Sequence, residues 1–123
     1  VGATEVTVTM VLPFPPSVNH YWGARGKTRY IAAAGKAFRA EVLARWYEAR
    51  AQGFGRKRLA VSIVLHPGDR RRRDVDNCCK AILDALAAAR VFEDDEQVDD
   101  LHTKRGAIRR GDACAVVTVS EAA

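Results

Sequence analysis

The chain has 123 residues and sets 20 lysines and arginines against 15 aspartates and glutamates, a net charge of +5. That length suits one domain over residues 1–123, burying about two-thirds of its unfolded surface without disulfides. Three cysteines without ligand spacing and three isolated histidines exclude a disulfide framework and a zinc site, and no apolar run is long enough to cross a membrane. A soluble, cytoplasmic protein is expected, and the basic excess favours nucleic acid or an anionic surface as partner rather than a small-molecule substrate.

In chain order, residues 6–12 (VTVTMVL) form a β-branched run that predicts a strand, stopped by Pro13. The segment 13–23 is a proline-rigidified loop ending in aromatics, and its glycine-containing continuation carries Arg25, Lys27 and Arg29. Two readings stay open. Asn19 and these cations, interleaved with Tyr21 and Trp22, suit a nucleic-acid backbone and unpaired bases; alternatively Phe14, Tyr21 and Trp22 plug the edge of the core. Residues 31–51 are alanine-rich, with Ile31, Phe38, Val42, Trp46 and Ala49 on one arc of a helix that glycines at 53 and 55 end. Residues 59–66 (LAVSIVLH) predict a central strand, and Pro67-Gly68-Asp69 a turn. A second helix is expected over 76–90. Residues 101–108 and 113–119 alternate as two antiparallel strands around the turn at 109–112. The order β-α-β-α-β-β predicts an α+β domain with a mixed sheet of about four strands and two helices.

Residues 70–100 concentrate the chemistry. Arg70, Arg71, Arg72 and Arg73 run directly into Asp74 and Asp76. In an extended entry to a helix, carboxylates at i and i+2 share a side, about 6–7 Å apart at their bases, and can close on one hard cation. Along the helix Asp76, Lys80 and Asp84 share a polar arc with Asn77 beside them, while Cys78, Cys79, Ile82, Leu83, Leu86 and Ala89 fill the opposite side. A plain capped helix with an Asp76–Lys80 ion pair explains these residues singly. It does not explain why arginines that attract a polyanion sit beside acids that repel one, Asp94 and Asp95 included. A divalent cation bridging acids to phosphate, as in metal-assisted phosphoryl chemistry, does.

With those residues placed, the chain resembles the RusA family of Holliday-junction endonucleases. The resemblance rests on Pro15-Pro16-Ser-Val-Asn19-His-Tyr21-Trp22, on Asp74-Val-Asp76-Asn77-x-x-Lys80-x-x-x-Asp84-x-Leu86, and on Asp94-Asp95-x-Gln97-Val98, in the family's order. It implies a homodimeric, Mg²⁺-dependent crossover junction endodeoxyribonuclease (Mn²⁺ an alternative) that resolves four-way DNA by paired symmetric nicks in recombination and repair, nucleoid-associated when bound. Carried over by position, Asp74, Asp76 and Asp95 supply the metal-holding carboxylates and Lys80 the essential lysine, with Asp94 the competitor for the third place. Asn77, Asp84 and Asp94 are then expected behind the site, fixing the lysine and the carboxylates. The phosphate backbone is expected to meet Arg70 to Arg73, Arg25, Lys27, Arg29, Asn19 and Lys104. The rival readings are a non-catalytic nucleic-acid-binding module and a phage-type general nuclease of branched DNA.

Overall fold

The computed structural model describes residues 6–123. Its main sheet has four strands: β1 (Thr7–Pro13), β4 (Leu59–His66), β5 (Val98–Arg105) and β6 (Cys114–Glu121). Their spatial order is β1-β6-β4-β5, with β6 antiparallel to both neighbours and β4 parallel to β5. The expected α+β class and mixed sheet of about four strands are therefore present. Pro13 ends β1, an outer strand, where a missing N–H costs no ladder bond.

Three expectations change. The last two strands do not pair as a hairpin: β6 lies between β1 and β4, and β5 takes the other side of β4. Composition explains the placement. In β6 (CAVVTVSE) half of the positions are buried and only Glu121 is exposed, as suits an inner strand, whereas β5 (VDDLHTKR) is exposed at most positions and suits an edge. The segment after Tyr21, expected to be a mobile loop, is a hairpin of β2 (Trp22–Arg25) and β3 (Thr28–Ile31), following a one-turn helix α1 (Val18–Tyr21). Gly26 supplies its turn with φ +61°. Finally, α2 (Ala33–Ala49) ends on Arg50 in the left-handed conformation at φ 52°, a place expected to go to glycine.

Packing follows the apolar spacing. α2 buries Gly35, Phe38, Val42 and Trp46, a stripe at i, i+3, i+7 and i+11, while Ile31 belongs to β3 and Ala49 is exposed. Gly35 is required because a Cβ there would press on the Tyr21 carbonyl and come within 2.8 Å of Ile31 Cγ2. The second helical segment begins as a 3₁₀ turn (Val75–Cys78) and continues as α3 (Cys79–Ala88), burying Ala81, Ile82, Leu83, Ala85 and Leu86. These join Leu59, Val61, Ile63 and Leu65 of β4 in one core. Burying Ile82 and Leu86 completely stabilises by about 1.5–3 kcal/mol each, far above the few tenths an exposed helical ion pair supplies, so packing sets the angle at which α3 presents its polar side.

Candidate active site

The loop from β4 to α3 is held at both ends. The Arg109 amide donates to the Pro67 carbonyl at 2.8 Å, and Arg105 donates from Nη2 to the Arg73 carbonyl. Within it, Arg73 Nη1 pairs with Asp69 Oδ1 at 2.9 Å while its guanidinium lies 5.5 Å from the Phe14 ring centroid. The Arg73 bond, helped by the Arg71 amide, holds the Asp69 carboxyl below the usual carboxylate range. Arg73 is thus a structural residue of the loop, whereas Arg70, Arg71 and Arg72 are exposed.

The extended backbone stops at Asp74 (φ −87°, ψ 133°), one residue earlier than an i, i+2 pair on a strand requires, and Asp76 already lies in the 3₁₀ turn. The two carboxylates nonetheless border one cleft of about 830 Å³, whose other walls are Arg73, Val75, Cys79, Leu101, Thr103 and Arg105. Asp74 occupies the N-cap position without accepting a cap bond from its side chain. Neither carboxylate has an ion-pair partner among the described residues, although arginines line the same cleft. Cys79 closes the floor by a 3.0 Å contact of Sγ with Thr103 Oγ1.

The second acidic stretch is built differently. Asp94 caps the 3₁₀ turn Asp95–Gln97: its Oδ1 accepts from the Glu96 amide at 3.0 Å, which with the Asp95 side chain holds its carboxyl below the usual range. Gln97 is 4 % exposed and fully satisfied. Its Oε1 accepts from the amides of Glu93 and Asp94, and its Nε2 donates to the carbonyls of Gly55 and Lys57. That clamp aims Asp95 at α3, where its carboxylate pairs with Lys80 Nζ. The i, i+4 pair of Lys80 with Asp76 is replaced by this longer-range one.

Other expected positions divide. Asp84 does not reach the lysine: Arg39 Nη2 donates to it at 2.6 Å, and so does the buried Tyr21 hydroxyl. Burial first, then this bond, raises the Tyr21 pKa. Tyr21 therefore belongs to the core, and Phe14 and Trp22 pack against it, as the second reading of that loop has it. Asn77 borders a neighbouring cavity of about 530 Å³ with His20, Arg72 and Asp74. Asn19, Lys27 and Arg29 border a smaller one beside Trp22. Arg70 and Arg71 share a basic recess with Arg73 and Arg105. Strand alternation turns Leu101, Thr103 and Arg105 toward the cleft and Lys104 away, so Arg105 takes the place expected of Lys104. Arg105 and Thr103 escaped sequence reading because which side of β5 faces the cleft depends on its pairing with β4. Gln97, visible only as part of a motif, gave no sign of its burial.

Asp74, Asp76 and Asp95 do not converge: no group of three acidic, histidine or cysteine ligands able to hold a metal occurs among the described residues. Asp74 and Asp76 stand as a pair on the cleft wall, and Asp95 is paired to Lys80. The pair still fits a hard cation of the Mg²⁺ type, which binds through one or two carboxylates plus substrate phosphate and keeps several waters. Among the described residues, no helix is long and apolar enough to cross a membrane.

Comparison with known proteins identifies the family. The sequence profile of the family described as endodeoxyribonuclease RusA matches residues 13–120. The chain is 42% identical over 96 residues to a crossover junction endodeoxyribonuclease of Enterobacteria phage HK97, covering 78% of this chain and 80% of that one. It is 38% identical over 106 residues to the corresponding protein of Shigella sonnei strain Ss046, and 39% identical over 107 residues to that of Enterobacteria phage 82. Each of these two alignments covers 85% of this chain and 88% of the relative.

Proposed function

Because the chain belongs to the RusA family of endodeoxyribonucleases, we propose that it is an endonuclease that hydrolyses phosphodiester bonds at four-way DNA junctions with the help of Mg²⁺ or Mn²⁺. The observation that carries this reading is the pair Asp74 and Asp76, unpaired with any described cation on the wall of a cleft that arginines also line. For a surface that only binds DNA, such acids weaken affinity by repelling phosphate. They are useful where a cation is to be held against the scissile phosphate.

Asp74 and Asp76 would hold that ion, which when bound lowers the pKa of a coordinated water and neutralises charge developing on the phosphate. Arg105 and the exposed Arg70, Arg71 and Arg72 draw the backbone toward the cleft. Lys80 donates to a non-bridging phosphate oxygen as charge develops there, and Asp95 keeps the ammonium positioned until substrate arrives. Asp95 suits this third place better than Asp94, whose carboxylate is occupied as a helix cap. Hydrolysis leaves a 5′-phosphate and a 3′-hydroxyl, ends that a ligase can rejoin, which suits recombination and repair.

One acidic cleft makes one incision, and resolving a junction takes two at symmetric positions. An isologous two-fold dimer matches the approximate two-fold axis of the DNA, so the chain acts as a homodimer. The decisive test incubates the protein with an end-labelled mobile four-way junction, with and without Mg²⁺. Paired nicks only with metal are expected; binding without cleavage in either condition overturns the enzymatic reading, and equal cutting of forks and junctions leaves a general branched-DNA nuclease. On a supercoiled plasmid extruding a cruciform, linear product supports paired incision, and nicked circles as the end product exclude it.

A further inference from the structure

Residues 6–40 contain no aspartate or glutamate, while Arg25, Lys27, Arg29, Lys36 and Arg39 all fall within them. Within this acid-free stretch the β2–β3 hairpin forms a two-stranded sheet of its own, apart from the main one. Its register pairs Trp22 with Ile31, Gly23 with Tyr30, Ala24 with Arg29 and Arg25 with Thr28. Cross-strand partners share a face, so Trp22, Ala24, Arg29 and Ile31 lie on one side and Gly23, Arg25, Thr28 and Tyr30 on the other.

The first side is occupied. Trp22 and Ile31 pack on the core, the Trp22 ring centroid is 4.1 Å from that of Tyr21, and the Arg29 guanidinium lies 4.3 Å from the Trp22 centroid. The second side is not. A Cβ on Gly23 would come within 2.5 Å of the Tyr30 hydroxyl and 2.7 Å of a ring carbon, so the hydroxyl end of the Tyr30 ring lies over Gly23. Tyr30 is 49% exposed, so about half of it stays open to solvent although it covers Gly23. Covering a strand glycine with an aromatic ring stabilises a hairpin, but that role does not call for Arg25 beside the ring or Lys27 at the turn.

The hairpin also adjoins the acidic cleft region. On the single turn of α1 and its cap, Ser17 and His20 border the cavity that Asp74 borders, and Val18 and Asn19 border the cavity of Trp22, Lys27 and Arg29. One helical turn, about 5 Å of rise, connects the two.

We propose that the outward face of this hairpin, Tyr30 laid on Gly23 with Arg25 and Lys27 around it, is a stacking platform for a base at the DNA branch point that has lost its stacking neighbour. The exposed ring replaces that neighbour, and the cations hold the adjoining phosphates. A regular duplex offers no such base, so the platform favours branched over continuous DNA. This rests on the junction reading above and assigns a residue to its selectivity.

The test measures binding without divalent metal to three labelled DNAs of equal length: an immobile four-way junction, a perfect duplex, and a duplex with a two-nucleotide bulge. Tyr30→Ala is expected to lower affinity for the junction and the bulged duplex roughly five- to 150-fold, the range that stacking one base on an aromatic ring spans. Duplex affinity should hold, and Tyr30→Trp should retain wild-type selectivity. Unchanged junction affinity, or an equal loss on the perfect duplex, overturns the platform; an unchanged thermal midpoint confirms that the variant is folded. Should the wild type bind junction and duplex alike, the junction reading fails. The bulged duplex then decides the platform alone, a selective loss supporting it and no loss overturning it.

Discussion

The two acidic stretches of this protein differ in what their carboxylates already do. Around residues 93–99 every acid has a local partner: Glu93 pairs with Arg56, Asp94 caps a helix, Asp95 meets Lys80, and Arg58 bridges Glu96 and Asp99. At Asp74 and Asp76 arginines directly adjoin in sequence, yet the nearest of them, Arg73, pairs with Asp69 instead. A carboxylate that gains a cation or a cap amide supports the fold. One that stays without either on a cleft wall costs repulsion, and that cost is repaid only when a cation arrives with the substrate.

The sharpest way to break this contrast is Asp76→Asn. Cleavage should fall more than about 100-fold, beyond what losing a residue behind a metal site costs, while junction binding holds or tightens because one unit of repulsion against phosphate is gone. Cleavage near the wild-type rate would return Asp76 to a helix-start residue. Lys80→Ala should lower cleavage by about 10²–10³-fold, as removal of one charge-stabilising donor does, with little change in binding. Parallel losses of cutting and binding would make Lys80 a simple anchor.

Gln97→Leu examines the other side of the comparison. It leaves buried amides and carbonyls unsatisfied, so urea denaturation should show about 3 kcal/mol of lost stability, from groups that cost roughly 1–3 kcal/mol each. A stability loss below measurement would mean that the acidic loop holds itself. Arg71→Ala with Arg72→Ala should flatten the salt dependence of binding by at most about 1.8 in slope, near 0.9 per phosphate contact. An unchanged slope would leave these arginines as a solvated surface.

The smallest effect concerns pH. Asp69, Asp94 and Asp99 all titrate below the ordinary carboxylate range, held there chiefly by Arg73, the Glu96 amide and Arg58 respectively. A depressed folded-state pKa means that the unfolded chain takes up protons first. Their stabilisation is therefore complete above about pH 4 and lost as pH falls through the lower folded values. Thermal midpoints followed from pH 6 to pH 2 should be flat and then decline, and Asp69→Asn should make that decline shallower. An unaltered acid limb in the variant would show that the Asp69–Arg73 pair is not what titrates.

Patterns local in sequence were legible. The run at 59–66 became the inner strand β4, and Ile82, Leu83 and Leu86 of the expected apolar face are buried in α3, although Ala81 and Ala85 were missed and Cys79 lines the cleft. Asp74 and Asp76 stood out because four arginines run directly into them. What failed depended on distant pairing. β5 and β6 are close in sequence and alternate well, so a hairpin was the economical reading, yet β5 joined β4 in parallel. The hairpin at 22–31 escaped because glycine and alanine weaken the strand signal, and only the register shows that a tyrosine covers one of those glycines. Asp84 shares the helical arc of Lys80, but a tyrosine 63 positions away takes its proton-accepting oxygen first.

Strand order also dictates when the sheet can exist during synthesis. Among the described strands β6 comes last in the chain, and it lies between the first of them, β1, and β4. Until residues 114–121 leave the ribosome, β1 has no partner in the main sheet and β4 carries a bare hydrogen-bonding edge on that side. The nascent chain can form α2 and α3 early, since their backbone hydrogen bonds are local, but closure waits for a pairing across more than a hundred residues, from Thr7 to Ser120. A stalled or shortened chain ending before β6 therefore exposes two apolar strand edges together, and such edges recruit other chains into aggregates.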